Sequence, residues 1–462
     1  MNTAVFTIVS KNYISYARTL LDSVAKVHPE YDIYLCLADR LDGYFDDVNE
    51  SFKVITSDKI RIPNFIDMTL RYDIMEFNTA VKPFMFRWLF DNTDLDVVIY
   101  LDPDIHVYSR LDQLETELEQ GASLVLTPHI TRPLEDGKSP NDYHMLQSGV
   151  FNLGFMAARR CQETLSYIDW WGRRLMTHCA SDVSNNLFTD QKWCDLAPCF
   201  LDRLKVLKDP GYNVAYWNLA QRKVGCTSEG EWSVDGQSLA FFHFSGISAD
   251  QRRLVSKHQN RFEWDDIGSC QPLFEDYLDA MISAGWKTSK HWPYAYSEIP
   301  GAFKVPSLVR QLYRQENPQP LALDGLDLAE YLIDLCNKPA ADILFEDTVR
   351  ITKLMAFAHS LRPDLQFAFS LGTADGRCSF AHWFEIAGER EYGLPREMTQ
   401  QSLLTGTASF KDKKKKLTGA CYAILILLSR PIRKFAFVLP HPLRELAKSK
   451  WLRLRSQLLR LL

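Results

Sequence analysis

Short apolar runs alternate with stretches of helical spacing through the first 265 residues of this 462-residue chain. Residues 4–9, 33–38, 97–101, 123–127, 150–157 and 239–244 read as strands. Between the first two, residues 13–27 carry the three-and-four spacing of an amphipathic helix. Alternation of this kind predicts βαβ units and a mainly parallel, doubly wound α/β sheet. Residues 266–405 carry helical spacing instead, clearest over 327–337 and 345–360, with linkers near Asn317-Pro318-Gln319-Pro320 and at 372–376. Residues 406–462 form a third region that opens on Lys411-Asp412-Lys413-Lys414-Lys415-Lys416.

Composition adds scale to this picture. A chain of 462 residues, 46% hydrophobic and 24% charged, has enough apolar surface for two or three packed domains. The ten cysteines include no Cys-x-x-Cys pair and most have apolar neighbours, which predicts buried free thiols in a reducing cytosol. Met1-Asn2-Thr3-Ala4-Val5 enters a strand with no basic stretch and long apolar run before it, unlike a secretory signal. No window offers eighteen apolar residues, so no spanning helix is expected. From Lys411 onward, fourteen Lys or Arg stand against two acidic residues, whereas the whole chain carries −5. The body is therefore acidic, which argues against nucleic acid as a partner. The basic tail is the part that would meet an anionic surface.

The chemistry is densest at Tyr100-Leu101-Asp102-Pro103-Asp104. An apolar strand runs directly into two aspartates one residue apart. Ligands of parallel α/β sheets bind at the carboxyl ends of strands, and two carboxylates there suit Mg²⁺ or Mn²⁺ held against a diphosphate. Asp94-Leu95-Asp96 has the same spacing but precedes the strand, where a polar loop is the plain reading.

Further blocks follow in order. They are Val5-Phe6-Thr7-Ile8-Val9-Ser10-Lys11-Asn12-Tyr13, Thr79-Ala80-Val81-Lys82-Pro83, Phe151-Asn152-Leu153-Gly154, Asp190-Gln191 and His243-Phe244-Ser245-Gly246. Together with Asp102 and Asp104 they resemble the nucleotide-sugar glycosyltransferases of the GT-A fold, most closely family 8, the family of glycogenin and bacterial lipooligosaccharide galactosyltransferases. The resemblance covers residues 3 to 262. It implies a Rossmann-like mixed sheet with flanking helices over residues 1–265, before a helical accessory region (266–405) and a basic amphipathic tail (406–462). It also implies a metal-dependent hexosyltransferase that moves sugar from a UDP-sugar donor to a glycan hydroxyl with retention. Mn²⁺ (or Mg²⁺) would sit on Asp102, Asp104 and His243. Thr7, Ser10, Asn12, Tyr13, Lys82, Asn152 and Gly246 would contact the nucleotide sugar, and Asp190 and Gln191 would face the anomeric carbon.

Each of these residues has a plainer reading. His243 sits on an apolar strand as a core histidine would, although Gly246 and the order of the blocks favour a metal ligand. Lys82 reads as a helix-surface lysine, with Pro83 marking a helix start. Ser10 and Asn12 read as a loop capping the next helix, while Tyr13 has the ring to stack on a base. Thr189-Asp190-Gln191 reads as a helix N-terminus, and Asn152 as a strand-end turn. The family's lysine after the His-x-x-Gly block has no clean match, so Arg252, Arg253 and Lys257 stay open as phosphate contacts. Two alternatives also stay open. One is an inverting GT-A transferase with Asp190 or Asp182 as base; the other is a catalytically weak scaffold docked on membranes. Residues 420–428 are apolar but too short to span a bilayer, and residues 451–460 mix leucine and arginine at near-helical spacing. This pattern reads as a segment lying in the interface of an anionic membrane, or else as a charged helix packed on the acidic body or a solvated tail; the first reading predicts a cytoplasmic protein held at the inner face of the membrane, which makes sense for the implied transferase if its acceptor is a lipid-linked or lipopolysaccharide-type glycan.

Overall fold

The computed structural model describes residues 1–228, 230–340 and 349–399. The basic tail and the start of the helix expected over 345–360 lie outside the described residues. The chain divides into two units: Met1–Ser297 with Pro318–Leu323, and Glu298–Asn317 with the described residues from Asp324 on.

The first unit is built on nine strands that matter here: β1 (Thr3–Val9), β2 (Asp32–Leu37), β3 (Lys53–Thr56), β4 (Val97–Leu101), β5 (Ile105–Val107), β6 (Leu124–Pro128), β7 (Phe151–Arg159), β8 (Leu204–Val206) and β9 (Phe241–His243). Seven of them form one mixed sheet in the order β8-β6-β7-β4-β1-β2-β3. Strand β7 is antiparallel to both neighbours, β4 and β6, and every other pair is parallel. The central strands are apolar on both faces because both faces are covered. Phe6 and Tyr100 pack on one side with Phe86 of helix Lys82–Asn92 and Trp171 of helix Gln162–Leu175. Val5, Ile99 and Leu101 pack on the other with Leu20, Leu21 and Val24 of helix Ile14–Val27. This is the α/β class the sequence implies. Strands β3, β5 and β8 have three or four residues each and escape a periodicity reading for that reason.

The first unit runs past residue 265. Helix Gln271–Ser283 buries Leu273, Phe274, Tyr277, Leu278 and Met281 against Phe242, Phe244 and Val214. Tyr277 stacks on Phe244 at 4.0 Å between ring centroids. The apolar stripe is legible in the sequence, but nothing in the sequence says which core it joins. Among the described residues no helix is long and apolar enough to cross a membrane.

The second unit is helical, with Ser307–Glu316, Leu328–Asn337, Lys353–Ser360, Pro363–Ala368 and Ala374–Tyr392. Residues 372–376, expected as a linker, open the last of these helices. The Thr373 hydroxyl accepts the Gly376 N–H at 3.1 Å and caps its first turn.

Candidate active site

The two aspartates sit where β4 gives out. Ile105 N donates to Asp102 O at 3.0 Å, closing a tight turn, and β5 then pairs antiparallel with β9 in the register Ile105↔His243. Phe244 N donates to Asp104 O at 2.8 Å. A short two-stranded ladder therefore lays His243 across the aspartate turn. Its Nε2 lies 3.0 Å from Asp104 Oδ1 and 3.7 Å from Asp102 Oδ2, and one ligand atom from each residue falls within 4.8 Å of the others. Two carboxylates and one imidazole nitrogen form a donor set that suits Mn²⁺ better than Mg²⁺. Asp96, by contrast, accepts the Asn2 N–H at 2.8 Å, before β4 begins.

Electrostatics follow from the enclosure. Burial pushes the Asp102 carboxyl up, against the opposing pull of Lys82 and His243, while the Tyr100 hydroxyl donates to its Oδ1. Burial acts on Asp104 too, but the charge and hydrogen bond of His243 outweigh it and hold that carboxyl down. Burial lowers His243, and Asp104 followed by Asp102 more than reverses this, so the imidazole ends above its usual range.

A second group lies beside the first. Lys82, at the start of its helix with Pro83 in the first turn, is 1% exposed rather than on the surface. Its Nζ ion-pairs with Asp190 Oδ2 at 2.6 Å, donates to Leu153 O at 2.8 Å and lies 4.1 Å from the centroid of the Tyr100 ring. Asp190 caps no helix with its side chain. Its Oδ1 accepts from Thr189 Oγ1 at 3.1 Å, and its backbone carbonyl accepts from Trp171 Nε1 at 3.1 Å. Gln191 is buried with both ends of its amide engaged: Oε1 accepts Leu153 N at 3.1 Å and Nε2 donates to Ser148 O at 2.8 Å. Asn152 is buried in strand β7 itself, not in a turn.

The loop after β1 lies at the same sheet end, because β1 neighbours β4 in parallel. Tyr13 is half exposed and stacks on Tyr16 at 4.6 Å; burial and then the charge of Asp104 raise its hydroxyl's pKa, which puts the ring in the field of the aspartate pair. Ser10 Oγ accepts from Asn78 Nδ2 at 2.7 Å and caps nothing. Thr7 is fully enclosed in β1. Among the described residues, Thr7 Oγ1, Asn12 Oδ1 and Asn78 Oδ1 are buried without a hydrogen-bond partner. Lys11 turns inward onto Asp39 at 3.3 Å and Asp42 at 2.8 Å.

Two glycines are fixed by close approach. A Cβ on Gly154 would strike His243 Cε1 and come within 2.8 Å of Asn152 Oδ1. Gly154→Ala is expected to push His243 off the aspartate pair, lower stability by about 1–3 kcal/mol and weaken Mn²⁺ binding. Urea unfolding and Mn²⁺ titration check this, and unchanged Mn²⁺ affinity would refute it. Gly246 has φ +79° and packs against Ser256 Oγ and the His258 ring. Of the three open phosphate contacts, Arg252 is paired with Asp279 at 2.8 Å. Lys257 is exposed and donates its backbone N–H to Gly246 O at 3.0 Å, and His258 beside it lies in the field of Asp104.

The sequence reading passed over Asn213, His129 and Trp217. Asn213 is fully buried and contacts His243 Nδ1, and the Trp217 ring meets His243 edge-on at 5.0 Å. His129, just after β6, and Asn213 and Trp217, in the loop after β8, carry no periodic or spacing signal, so only the fold brings them to the site.

No protein-family model matches the chain. It is 25% identical over 281 residues to the uncharacterized protein YfnD of Bacillus subtilis (strain 168), covering 59% of this chain and 86% of YfnD. It is 23% identical over 298 residues to the uncharacterized protein YfnF of the same strain, covering 61% and 93%. Solved structures similar to it include those of glycosyltransferases. One is the galactosyltransferase LgtC in complex with donor and acceptor sugar analogs, at 14% identity, 60% of this chain and 95% of that one, with a TM-score of 0.36. Another is the glycosyltransferase GlyE of Streptococcus pneumoniae TIGR4, at 16% identity, 63% and 66%, with a TM-score of 0.35.

Proposed function

We propose that the first unit is a metal-dependent glycosyltransferase that moves a hexose from a UDP-sugar to a glycan hydroxyl with retention. One observation carries the reading: Asp102, Asp104 and His243 converge at the carboxyl end of β4 beside the buried Lys82–Asp190 pair. Asp102, Asp104 and His243 would hold Mn²⁺, whose charge would neutralise the departing diphosphate. The orphaned Thr7, Asn12 and Asn78 atoms and the half-exposed Tyr13 ring suit the polar, aromatic nucleoside end of such a donor. Lys257 and His258, at the Gly246 turn, suit its phosphates.

Retention is favoured over inversion by the state of the carboxylates. An inverting enzyme needs a carboxylate free to take the acceptor's proton. Asp190 is held by the Lys82 ammonium at 2.6 Å and is 3% exposed. Asp182 accepts from Ser184 Oγ and Asn185 N and is committed to the turn Val183–Asn185. Neither is a free base. Gln191, between the strand that carries Asn152 and the Lys82–Asp190 pair, would line the sugar pocket by its position on Leu153 and Ser148. The basic, leucine- and arginine-rich C-terminal region would bring the enzyme to an anionic membrane carrying its acceptor.

The decisive experiment is hydrolysis and transfer from a panel of nucleotide sugars, with and without Mn²⁺. Mn²⁺-dependent turnover of a UDP-sugar is the expected result, and no turnover of any donor would leave the scaffold alternative standing. Within that assay Gln191→Ala is expected to lower turnover about tenfold or more with UDP affinity nearly unchanged. Equal loss of UDP binding would make Gln191 a purely structural clamp.

A further inference from the structure

We propose that Asn213 is the positioning residue that prepares His243 to bind a divalent cation, by holding the imidazole proton on Nδ1 so that Nε2 presents its lone pair to the aspartate turn. The inference rests on the metal reading above; the hydrogen bonds that carry it involve no ion. A backbone N–H can only donate, and the Gly154 N–H lies 3.1 Å from Asn152 Oδ1, so that atom is the amide oxygen. The same oxygen lies 2.9 Å from the Asn213 amide, which must therefore present its NH₂ there. That NH₂ also donates to Thr127 Oγ1 at 2.8 Å. The remaining atom of Asn213, its oxygen, faces His243 Nδ1 at 3.3 Å, and only Nδ1–H satisfies it. The chain continues in the other direction: Asn152 Nδ2, 3.3 Å from His129 Nε2, finds an acceptor there. One obligate backbone donor thus fixes two amide orientations and a proton on Nδ1; without a cation Nε2 also donates to Asp104 Oδ1 at 3.0 Å, and a bound cation would take the place of that second proton.

The surrounding backbone is built to keep Asn213 in place. Asn213 is fully buried at φ +53°, a left-handed conformation that asparagine tolerates better than most residues. Asn218 Nδ2 donates to Asn213 O at 2.9 Å, and its Oδ1 accepts Ala215 N at 3.0 Å, closing the turn. His243 N itself donates to Val214 O at 2.7 Å, so the strand that carries the imidazole is tied to the residue after Asn213. Second-layer partners of this kind set the tautomer and basicity of a ligating histidine.

The test compares variants by Mn²⁺ affinity, read from the EPR signal of free Mn²⁺, and by long-range ¹H–¹⁵N NMR of ¹⁵N-histidine-labelled full chain loaded with diamagnetic Mg²⁺. Wild type should show His243 protonated on Nδ1. Asn213→Gly keeps the left-handed backbone and removes the acceptor; its Mn²⁺ affinity should fall about 10- to 100-fold, with the tautomer no longer fixed. Asn213→Asp keeps an acceptor for Nδ1–H but loses the NH₂ that Asn152 Oδ1 and Thr127 Oγ1 accept, so it should recover the Nδ1–H signal at a cost in stability. Thr127→Val removes one partner of the Asn213 NH₂, lowering stability while leaving Mn²⁺ affinity as it is. The proposal is overturned if His243 of the wild type carries its proton on Nε2, or if Asn213→Gly binds Mn²⁺ within twofold of wild type. If Asp102→Asn and Asp104→Asn leave Mn²⁺ affinity unchanged, the metal reading falls instead. The Nδ1–H signal of metal-free protein, present in wild type and lost from Asn213→Gly if the proposal holds and unchanged between the two if it does not, then decides for or against Asn213 by itself.

Discussion

Asp102→Asn and Asp104→Asn should each lower Mn²⁺-dependent turnover of a UDP-sugar by about a thousandfold, equivalent to about 4 kcal/mol of barrier, while the protein stays folded. Each substitution exchanges a charged oxygen ligand for a neutral amide of the same shape. The loss falls on cation binding and on the charge balance of the leaving diphosphate. Folding should tolerate the change at Asp102 because an amide oxygen still accepts from the Tyr100 hydroxyl. Asp94→Asn is the matched control, with the same residue type on the other side of β4, and should leave turnover unchanged. Steady-state kinetics with and without Mn²⁺, beside thermal melts, check this, and full turnover in both variants would show that the cation sits elsewhere.

The second large effect is on stability. Lys82→Met leaves the Asp190 carboxylate buried without its ammonium, and the chain should lose about 3–5 kcal/mol, the usual result of breaking one side of an enclosed ion pair. Adding Asp190→Leu removes the stranded charge and should recover most of that loss, while turnover stays absent. Urea unfolding of the two single variants and the double variant completes the cycle. If Lys82→Met unfolds at the wild-type midpoint, the ion pair is not a fixed part of the fold. If the double variant regains turnover, the pair has no part in the chemistry.

Much of this architecture was legible in the chain. The strands through Phe6, Tyr100 and Met156 are long, apolar on both faces and bounded by polar residues, so their periodicity is plain. The aspartate turn was legible because a strand end followed by two carboxylates is a local pattern. What escaped is of two kinds. Strands of three or four residues, such as the one that begins at Ile105, are too short for any period to register, yet that strand carries the pairing that delivers His243. The partners of the site were also invisible. Lys82 looked like a surface residue because nothing local shows that Asp190 waits inside for it, and Asn213 gives no sign that its amide meets an imidazole thirty residues on. Side-chain orientation is set by tertiary neighbours, and sequence spacing does not encode it.

The ladder between Ile105–Val107 and Phe241–His243 has a consequence for how the molecule comes into being. The aspartates emerge early in synthesis and the histidine much later, so the complete donor set exists only once the chain has returned to close that ladder. A contact so distant in sequence forms late and slowly. A nascent chain that has not yet reached His243 would offer a cation two carboxylates alone. If Asp102, Asp104 and His243 hold the ion as proposed, its affinity would report completed folding, and by mass action the ion, once held, would favour the finished topology over its incomplete precursors.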